Sequence, residues 1–85
     1  MERQAVYAVI DKERDHQELL IEKGVYEKVV QPVAAEVLII SEYADKARKA
    51  FTENFGDEKA LDVVRKIAAL CVRTMEHHGV PERKQ

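Results

Sequence analysis

Cysteine, glycine and proline are all scarce in this sequence, whose 85 residues include one cysteine, three glycines and two prolines. A single thiol, Cys71, excludes an internal disulfide, and its apolar neighbours predict a buried, reduced side chain. A domain of this length lies near the lower limit at which one hydrophobic core is sufficient. Without disulfides, the remaining sources of extra stability are a metal or a partner subunit.

Long hydrophobic runs and a strong excess of one charge are also lacking. No apolar stretch approaches the roughly 18 residues of a membrane span, and acidic residues interrupt the N-terminal segment where a signal peptide is apolar. The formal net charge is −2, and acids and bases are interleaved, so no basic face is predicted for a phosphate backbone. We therefore expect a cytoplasmic protein that binds neither membranes nor nucleic acid.

What the sequence has in quantity is helical periodicity. Hydrophobic residues make up 46% and charged residues 35% of the chain, a mixture that can bury a core and stay soluble. Glycine and proline fall between segments whose apolar residues recur three and four apart. The first helix is predicted from about Glu2 to Lys23, with Val6 and Val9 on its core face and Gly24 in the left-handed position after its end. A linker that includes a short helical turn follows at 25–31.

Two further helices complete the predicted fold. The second carries Pro32 in its first turn and ends at Phe55 before Gly56, and the third is capped by Asp57 and stops at Gly79. The segment "VVQPVAAEVLII" is rich in β-branched residues, as strands are. Because proline interrupts it and its pattern continues into "SEYADKARKAF", a helix is preferred.

These elements predict an all-α, antiparallel helical bundle of three main helices in a single domain, residues 1–85. The apolar faces of the second and third helices are wider than three helices alone would cover. Pairing of subunits would cover the excess, so we expect a homodimer or a higher homo-oligomer.

One pair of acidic residues suggests a metal site. Glu42 and Asp45 are one helical turn apart, so their carboxylates project side by side and suit a hard cation such as Mg²⁺. The alternative is a solvated helix edge, because acidic residues are so frequent in this chain that such a spacing is expected by chance.

Other polar residues in unusual positions are candidates for ligand contacts. Glu13 and Gln17 continue the apolar stripe of the first helix, so they either meet solvent where the bundle opens or line a polar pocket between helices. Lys46, Arg48 and Lys49 follow the acidic pair, either as a solvated helix end or as contacts for a polyphosphate.

Few other residues in the sequence suggest a catalytic or metal-binding site. His77 and His78 are adjacent near a helix C-terminus, where they are expected to point in different directions and to benefit from the helix dipole. No Ser-His-Asp arrangement, phosphate-binding glycine loop or CxxC motif is present. Nucleophilic hydrolases and P-loop enzymes are therefore excluded.

Three short motifs occur in order along the chain: "YAVIDKERDHQ" followed by a glycine, "LIISEYADKA", and "VVRKIAALCVRTMEHHG". They resemble the opening ER-x-x-Q segment, the central EE-x-x-E helix and the last helix of the MazG-like all-α nucleoside triphosphate pyrophosphohydrolase superfamily. The resemblance spans roughly residues 5–79. The positions that carry it outside the central motif are Glu13, Arg14, Gln17, Gly24, Ala68, Ala69 and Glu76.

The resemblance implies an oligomeric helical bundle that binds Mg²⁺ and cleaves a nucleoside triphosphate to the monophosphate and pyrophosphate. In the central motif Glu42 and Asp45 match the second and last acids. Ser41, Val63 and Lys66 replace the other acids that would bind the metal, and neither valine nor lysine can do so.

Two interpretations of function follow. The first is a divergent MazG-like pyrophosphohydrolase or nucleotide binder with weakened catalysis, in which Glu42 and Asp45 hold Mg²⁺ weakly. In it Lys46, Lys49 or Lys66 contacts phosphate and Glu13 or Gln17 lines the pocket. The alternative is a non-catalytic helical interaction or regulatory protein, from a phage or mobile element, with a protein partner.

Overall fold

The computed structural model describes residues 1–26, 28–53 and 56–84. These residues form three α-helices and no strand: α1 (Arg3–Glu22), α2 (Val33–Thr52) and α3 (Gly56–His78). The predicted all-α, three-helix fold is thus confirmed, and the β-branched segment after Pro32 is helical. Within the described residues, no helix is long and apolar enough to cross a membrane.

Glycines terminate two of the helices as predicted. Gly24 has a φ of 75°, and the N–H groups of Gly24 and Val25 donate to the carbonyls of Ile21 and Leu20 at 3.0 and 2.9 Å. Gly79 has a φ of 78° and donates to the carbonyl of Met75 at 2.7 Å. In both places the left-handed backbone, which glycine adopts without steric strain, satisfies carbonyls at the end of the helix.

Several predicted boundaries were displaced. Pro32 is the N-cap of α2, with a ψ of 152°, and lies before its first turn. Asp57 lies inside the first turn of α3, since that helix begins at Gly56. The described part of the linker, 25–26 and 28–31, contains no helical turn. The predicted end of α2 at Phe55 lies outside the described residues, and α2 ends at Thr52.

The third helix is the centre of the fold. α1 and α2 each pack against α3, and their described residues do not contact each other. Glu36 near the start of α2 reaches His77 near the end of α3, so these two helices are antiparallel. Val6 and Val9 of α1 lie beside Leu61 and Val64 of α3, so α1 and α3 run in the same direction.

Because only α3 covers them, the two outer helices bury little hydrophobic surface. Among the described residues Ala69 is the one buried hydrophobic side chain. Val6 and Val9, predicted to lie in the core, remain 38% exposed, and Cys71 is half-buried. The Cα radius of gyration is 14.0 Å, compared with about 12 Å for a compact chain of this length. The bundle is therefore open.

Candidate functional site

The acidic pair predicted to bind a metal lies on the outer side of α2. Side chains of α2 that are shielded by α3 recur three and four apart: Glu36, Ile40, Tyr43, Ala47 and Ala50. Glu42 and Asp45 fall outside this face and are exposed. They border a shallow depression of about 560 Å³, which Leu38, Ser41, Ala44 and Arg48 also line.

Basic neighbours already engage the carboxylate of Asp45. The Arg48 guanidinium donates to it at 2.6 Å and the Lys49 ammonium lies 3.5 Å away. The hydrogen bond and charge of Arg48 hold the pKa of Asp45 below its usual value. Lys46 instead places its ammonium 4.3 Å from the centre of the Tyr43 ring. Asp45 and Lys49 thus pair with each other on the surface, where such pairs contribute little to stability.

Lys66 and Glu13 belong to a second group of charges, between α1 and α3. Asp62 accepts from Arg65 at 2.7 Å and lies 3.5 Å from the Lys66 ammonium, as the spacing of Asp62 and Lys66 predicts. Arg65 also donates to Glu13 at 2.7 Å, and this hydrogen bond raises the pKa of the guanidinium. Glu13 is therefore neutralised across the helix interface by a residue distant in sequence.

Gln17 lies next to the buried side chain of Arg14. Arg14 donates to Glu76 on α3 at 2.5 Å and pairs with Glu18 one turn along α1. Burial lowers the pKa of Arg14, but the hydrogen bonds that it donates to Glu76 and Glu18 outweigh this effect, so the pKa lies above its usual value. The first and last motifs of the family resemblance thus meet in space.

A third polar contact joins the start of α2 to the end of α3. The Nδ1 atom of His77 lies 3.1 Å from one oxygen of the buried Glu36 carboxylate, and Nε2 of His78 lies 3.2 Å from the other. His78 Nε2 also donates to the carbonyl of Gln31 at 2.8 Å. The prediction that the two histidines diverge was wrong, because they reach one carboxylate through different ring nitrogens.

Four buried polar atoms among the described residues have no hydrogen-bond partner. They are Nη1 of Arg14, Oε1 of Gln17, Oε2 of Glu36 and Nε of Arg73. Oε2 of Glu36 belongs to this set because His78 approaches it closely without hydrogen-bond geometry. A buried polar group without a hydrogen bond destabilises the folded state, so the hydrogen bonding of these four side chains is the least complete in the interior.

The charged side chains of these buried contacts already have partners of opposite sign. Arg14 pairs with Glu18 and Glu76, the charge of Arg73 acts on Glu18, and Glu36 lies against His77 and His78. Each guanidinium group here therefore lies near a carboxylate. In the parts of the chain that the structure describes, no group of three or more His, Cys, Asp or Glu side chains is arranged so that it could hold a metal ion.

The third helix also carries an apolar stripe that its own chain covers only in part. Leu61, Val64, Ala68, Val72 and Met75 recur three and four residues apart; Leu61, Val64 and Met75 are exposed, whereas Ala68 and Val72 are half-buried. We call these five residues the α3 stripe. Its first half borders a groove of about 890 Å³ between α3 and the N-terminal half of α1, lined on the α1 side by Met1, Val6, Val9 and Ile10.

The sequence analysis did not predict that Glu36 is buried or that Nε of the half-buried Arg73 is. The signal was present for Glu36, since it precedes Ile40, Tyr43 and Ala47 at the spacing of one helix face. The charge of Glu36 made its burial unexpected, because glutamate is rarely buried without a partner. Its partner His77 is 41 residues away in the chain.

The fold and the polar contacts together describe a small all-α protein with an open helix arrangement and charged side chains at the contacts between its helices. No family model, curated protein or solved structure matches the chain.

Proposed function

We propose that this protein is a non-catalytic helical interaction protein whose working surface is the α3 stripe and the adjoining α1–α3 groove. The observation that carries the proposal is the exposure of apolar side chains on the central helix, while Ala69 is the one buried hydrophobic residue of the described chain. Contiguous apolar surface of this kind is typical of protein-binding sites. Helix faces that are left uncovered by their own chain also suit a helical partner.

The arrangement of the predicted metal ligands supports a protein-binding role rather than Mg²⁺-dependent catalysis. Glu42 and Asp45 face away from α3, so no acid of the described part of α3 joins them. Arg48 and Lys49 neutralise Asp45, and a cation would have to displace both. Two carboxylates of which one is already paired make a poor Mg²⁺ site, because Mg²⁺ demands near-octahedral oxygen coordination.

Calorimetry with nucleotides tests this proposal. The purified chain is titrated with nucleoside triphosphates and monophosphates in the presence of Mg²⁺, and pyrophosphate release is followed with each triphosphate. We expect no heat of binding and no pyrophosphate. Magnesium-dependent binding that is lost in Glu42→Ala and kept in Glu53→Ala, an exposed glutamate at the end of the same helix, would overturn the proposal.

A divergent MazG-like nucleotide binder is the second candidate, and one contact favours it. Arg14 and Glu76, which lie in the first and last motifs of the resemblance, are 62 residues apart yet joined at 2.5 Å, with Gln17 beside them. In this candidate Glu42 and Asp45 hold Mg²⁺ weakly, a lysine contacts phosphate, and Gln17 lines the pocket with its free carbonyl oxygen.

The same titrations distinguish this candidate from the first. It predicts nucleotide binding that weakens when Gln17→Ala removes a polar atom from the pocket and when Glu42→Ala removes a metal ligand. Turnover would stay slow, because Val63 and Lys66 stand where the resemblance places further acids. Binding unaffected by either substitution would contradict the site assignment.

A further inference from the structure

The α3 stripe is symmetric in sequence about Ala68. Val64 and Val72 each lie four residues from Ala68, and Leu61 and Met75 each lie seven residues from it. Side-chain size therefore increases in the same order in both directions along the helix. Two identical helices that pack antiparallel about a two-fold axis require this kind of self-complementarity, because residue i of one copy meets residue j of the other and the reverse.

We propose that a second copy of this chain covers the stripe, with α3 antiparallel to its equivalent and the two-fold axis at Ala68. This inference rests on the proposed function as an interaction protein and names the partner. Ala68 faces its own equivalent, Val64 faces Val72 of the other copy, and Leu61 faces Met75. The small side chain at the axis lets the two helices approach closely, since the distance between packed helices depends on the residues at their contact.

The exposed area of the chain matches what such a dimer needs. The solvent-accessible surface is 6979 Å², whereas a compact monomer of 9.8 kDa exposes about 5,200 Å². The excess is about 1,800 Å² per chain, or about 3,600 Å² for two chains, and obligate dimers bury about 2,000–5,000 Å² in total from both partners. The excess surface is therefore of the size that a second copy can cover.

The α1–α3 groove extends the same surface. Its apolar lining, Val6, Val9 and Ile10, borders the first half of the stripe, while Glu58, Lys59, Asp62 and Arg65 lie along its margin. An apolar centre with a polar margin is the usual anatomy of a protein interface. The second copy thus meets an interface that includes residues of α1 as well as the stripe.

Cysteine cross-linking tests the register. In a Cys71→Ser background, Ala68→Cys is expected to form a disulfide-linked dimer under mild oxidation, because the two thiols meet at the axis. Val64→Cys alone is expected not to cross-link, since its equivalents are eight residues apart along the helix pair, about 12 Å, and a disulfide needs Cα atoms within about 7 Å. A mixture of Val64→Cys and Val72→Cys chains should cross-link.

Matched leucine substitutions test the surface itself. Leu61 on the stripe and Leu38 on the outer side of α2 are 64% and 66% exposed. Leu61→Glu is expected to weaken association, whereas Leu38→Glu is expected to leave it unchanged. Circular dichroism reports whether each variant is helical. The native mass of the unsubstituted chain tests association without any substitution.

Three results would contradict the proposed dimer or its surface. A folded monomer at every concentration, or cross-linking of Val64→Cys alone in preference to Ala68→Cys, would overturn the two-fold arrangement. Equal effects of the two leucine substitutions would overturn the assignment of the surface. Neither result depends on nucleotide titration, so failure of the dimer and failure of the non-catalytic function are separable.

Discussion

At the scale of single residues, Arg14 and Glu36 stand out because the described fold buries them and almost no apolar side chain. Each of them joins α3 to an outer helix, Arg14 through Glu76 and Glu36 through His77 and His78. Loss of the partners of either residue would leave its buried charge unpaired. These contacts therefore determine how the outer helices are held.

Substitution of Arg14 should destabilise the protein more than substitution of Arg48. The Arg14 side chain is 9% exposed and pairs with two carboxylates, whereas Arg48 is 63% exposed and pairs with Asp45 alone. We expect Arg14→Ala to lower the free energy of unfolding by about 2–3 kcal/mol and Arg48→Ala by less than about 1 kcal/mol. Urea denaturation at one protein concentration measures both, and equal losses would contradict the role of Arg14.

The contact of Glu36 predicts a stability that falls in acid. Burial raises the pKa of Glu36, but the hydrogen bond from His77 and the charge of His78 outweigh it, so the pKa lies below its usual value. A carboxyl group with a lowered pKa stabilises the fold above its unfolded pKa and loses that contribution as pH falls through the folded value.

Comparison with Glu36→Gln isolates this effect. The difference in unfolding free energy between the two proteins should be larger at about pH 6 than below about pH 4, where the carboxyl group becomes protonated. Thermal or chemical denaturation across this range measures it, with Glu42→Gln as the control on the exposed side of α2. A difference that is independent of pH would show that the Glu36 carboxylate is not held as an ion.

At the scale of the elements, α3 supports both other helices, so its ends matter more than theirs. Gly79 closes α3 in a left-handed conformation, and no atom lies within 4 Å of the position that a Cβ would occupy. A side chain at this position therefore meets backbone strain but no steric obstacle.

Gly79→Ala should lower the free energy of unfolding by about 1 kcal/mol. Asparagine tolerates this backbone conformation better than alanine, so Gly79→Asn should lose less. Thermal unfolding of the two variants at equal concentration makes the comparison. A larger loss for asparagine than for alanine would show that the backbone conformation is not the cause.

Helix positions were readable from the sequence because each depends on residues near in the chain. Gly24 and Gly79 end α1 and α3 as predicted, since a glycine after a periodic segment has a local physical reason. Pro32 was placed one residue too far into α2, because proline suits both the N-cap and the first turn. Local chemistry distinguishes these neighbouring positions poorly.

The side-chain partners that join different helices could not be predicted from the sequence in the same way. Periodicity identified Glu13 and Gln17 as polar residues on the inner face of α1, and the structure pairs Glu13 with Arg65 of α3 and buries Oε1 of Gln17. It could not say that Arg65 pairs with Glu13 or that His77 and His78 share Glu36. Such partners are chosen by the packing of distant segments, which one sequence does not reveal.

At the scale of the whole molecule, the open arrangement of α1 and α2 about α3 is the central feature. A single chain leaves Leu61, Val64 and Met75 of the α3 stripe exposed, and the excess surface of two chains lies within the range that obligate dimers bury. If folding and association are coupled, the melting temperature should rise with protein concentration, because mass action favours the associated state. Scanning calorimetry over a dilution series measures this, and a melting temperature independent of concentration would contradict the coupling.

The mass of the unsubstituted protein in solution, measured by light scattering behind gel filtration over a range of concentrations, tests the proposed dimer most directly. We expect twice the 9.8 kDa of one chain, with helical circular dichroism at each concentration. A helical particle of 9.8 kDa throughout would mean that the open bundle is stable alone, which would contradict the second copy as the partner of the α3 stripe.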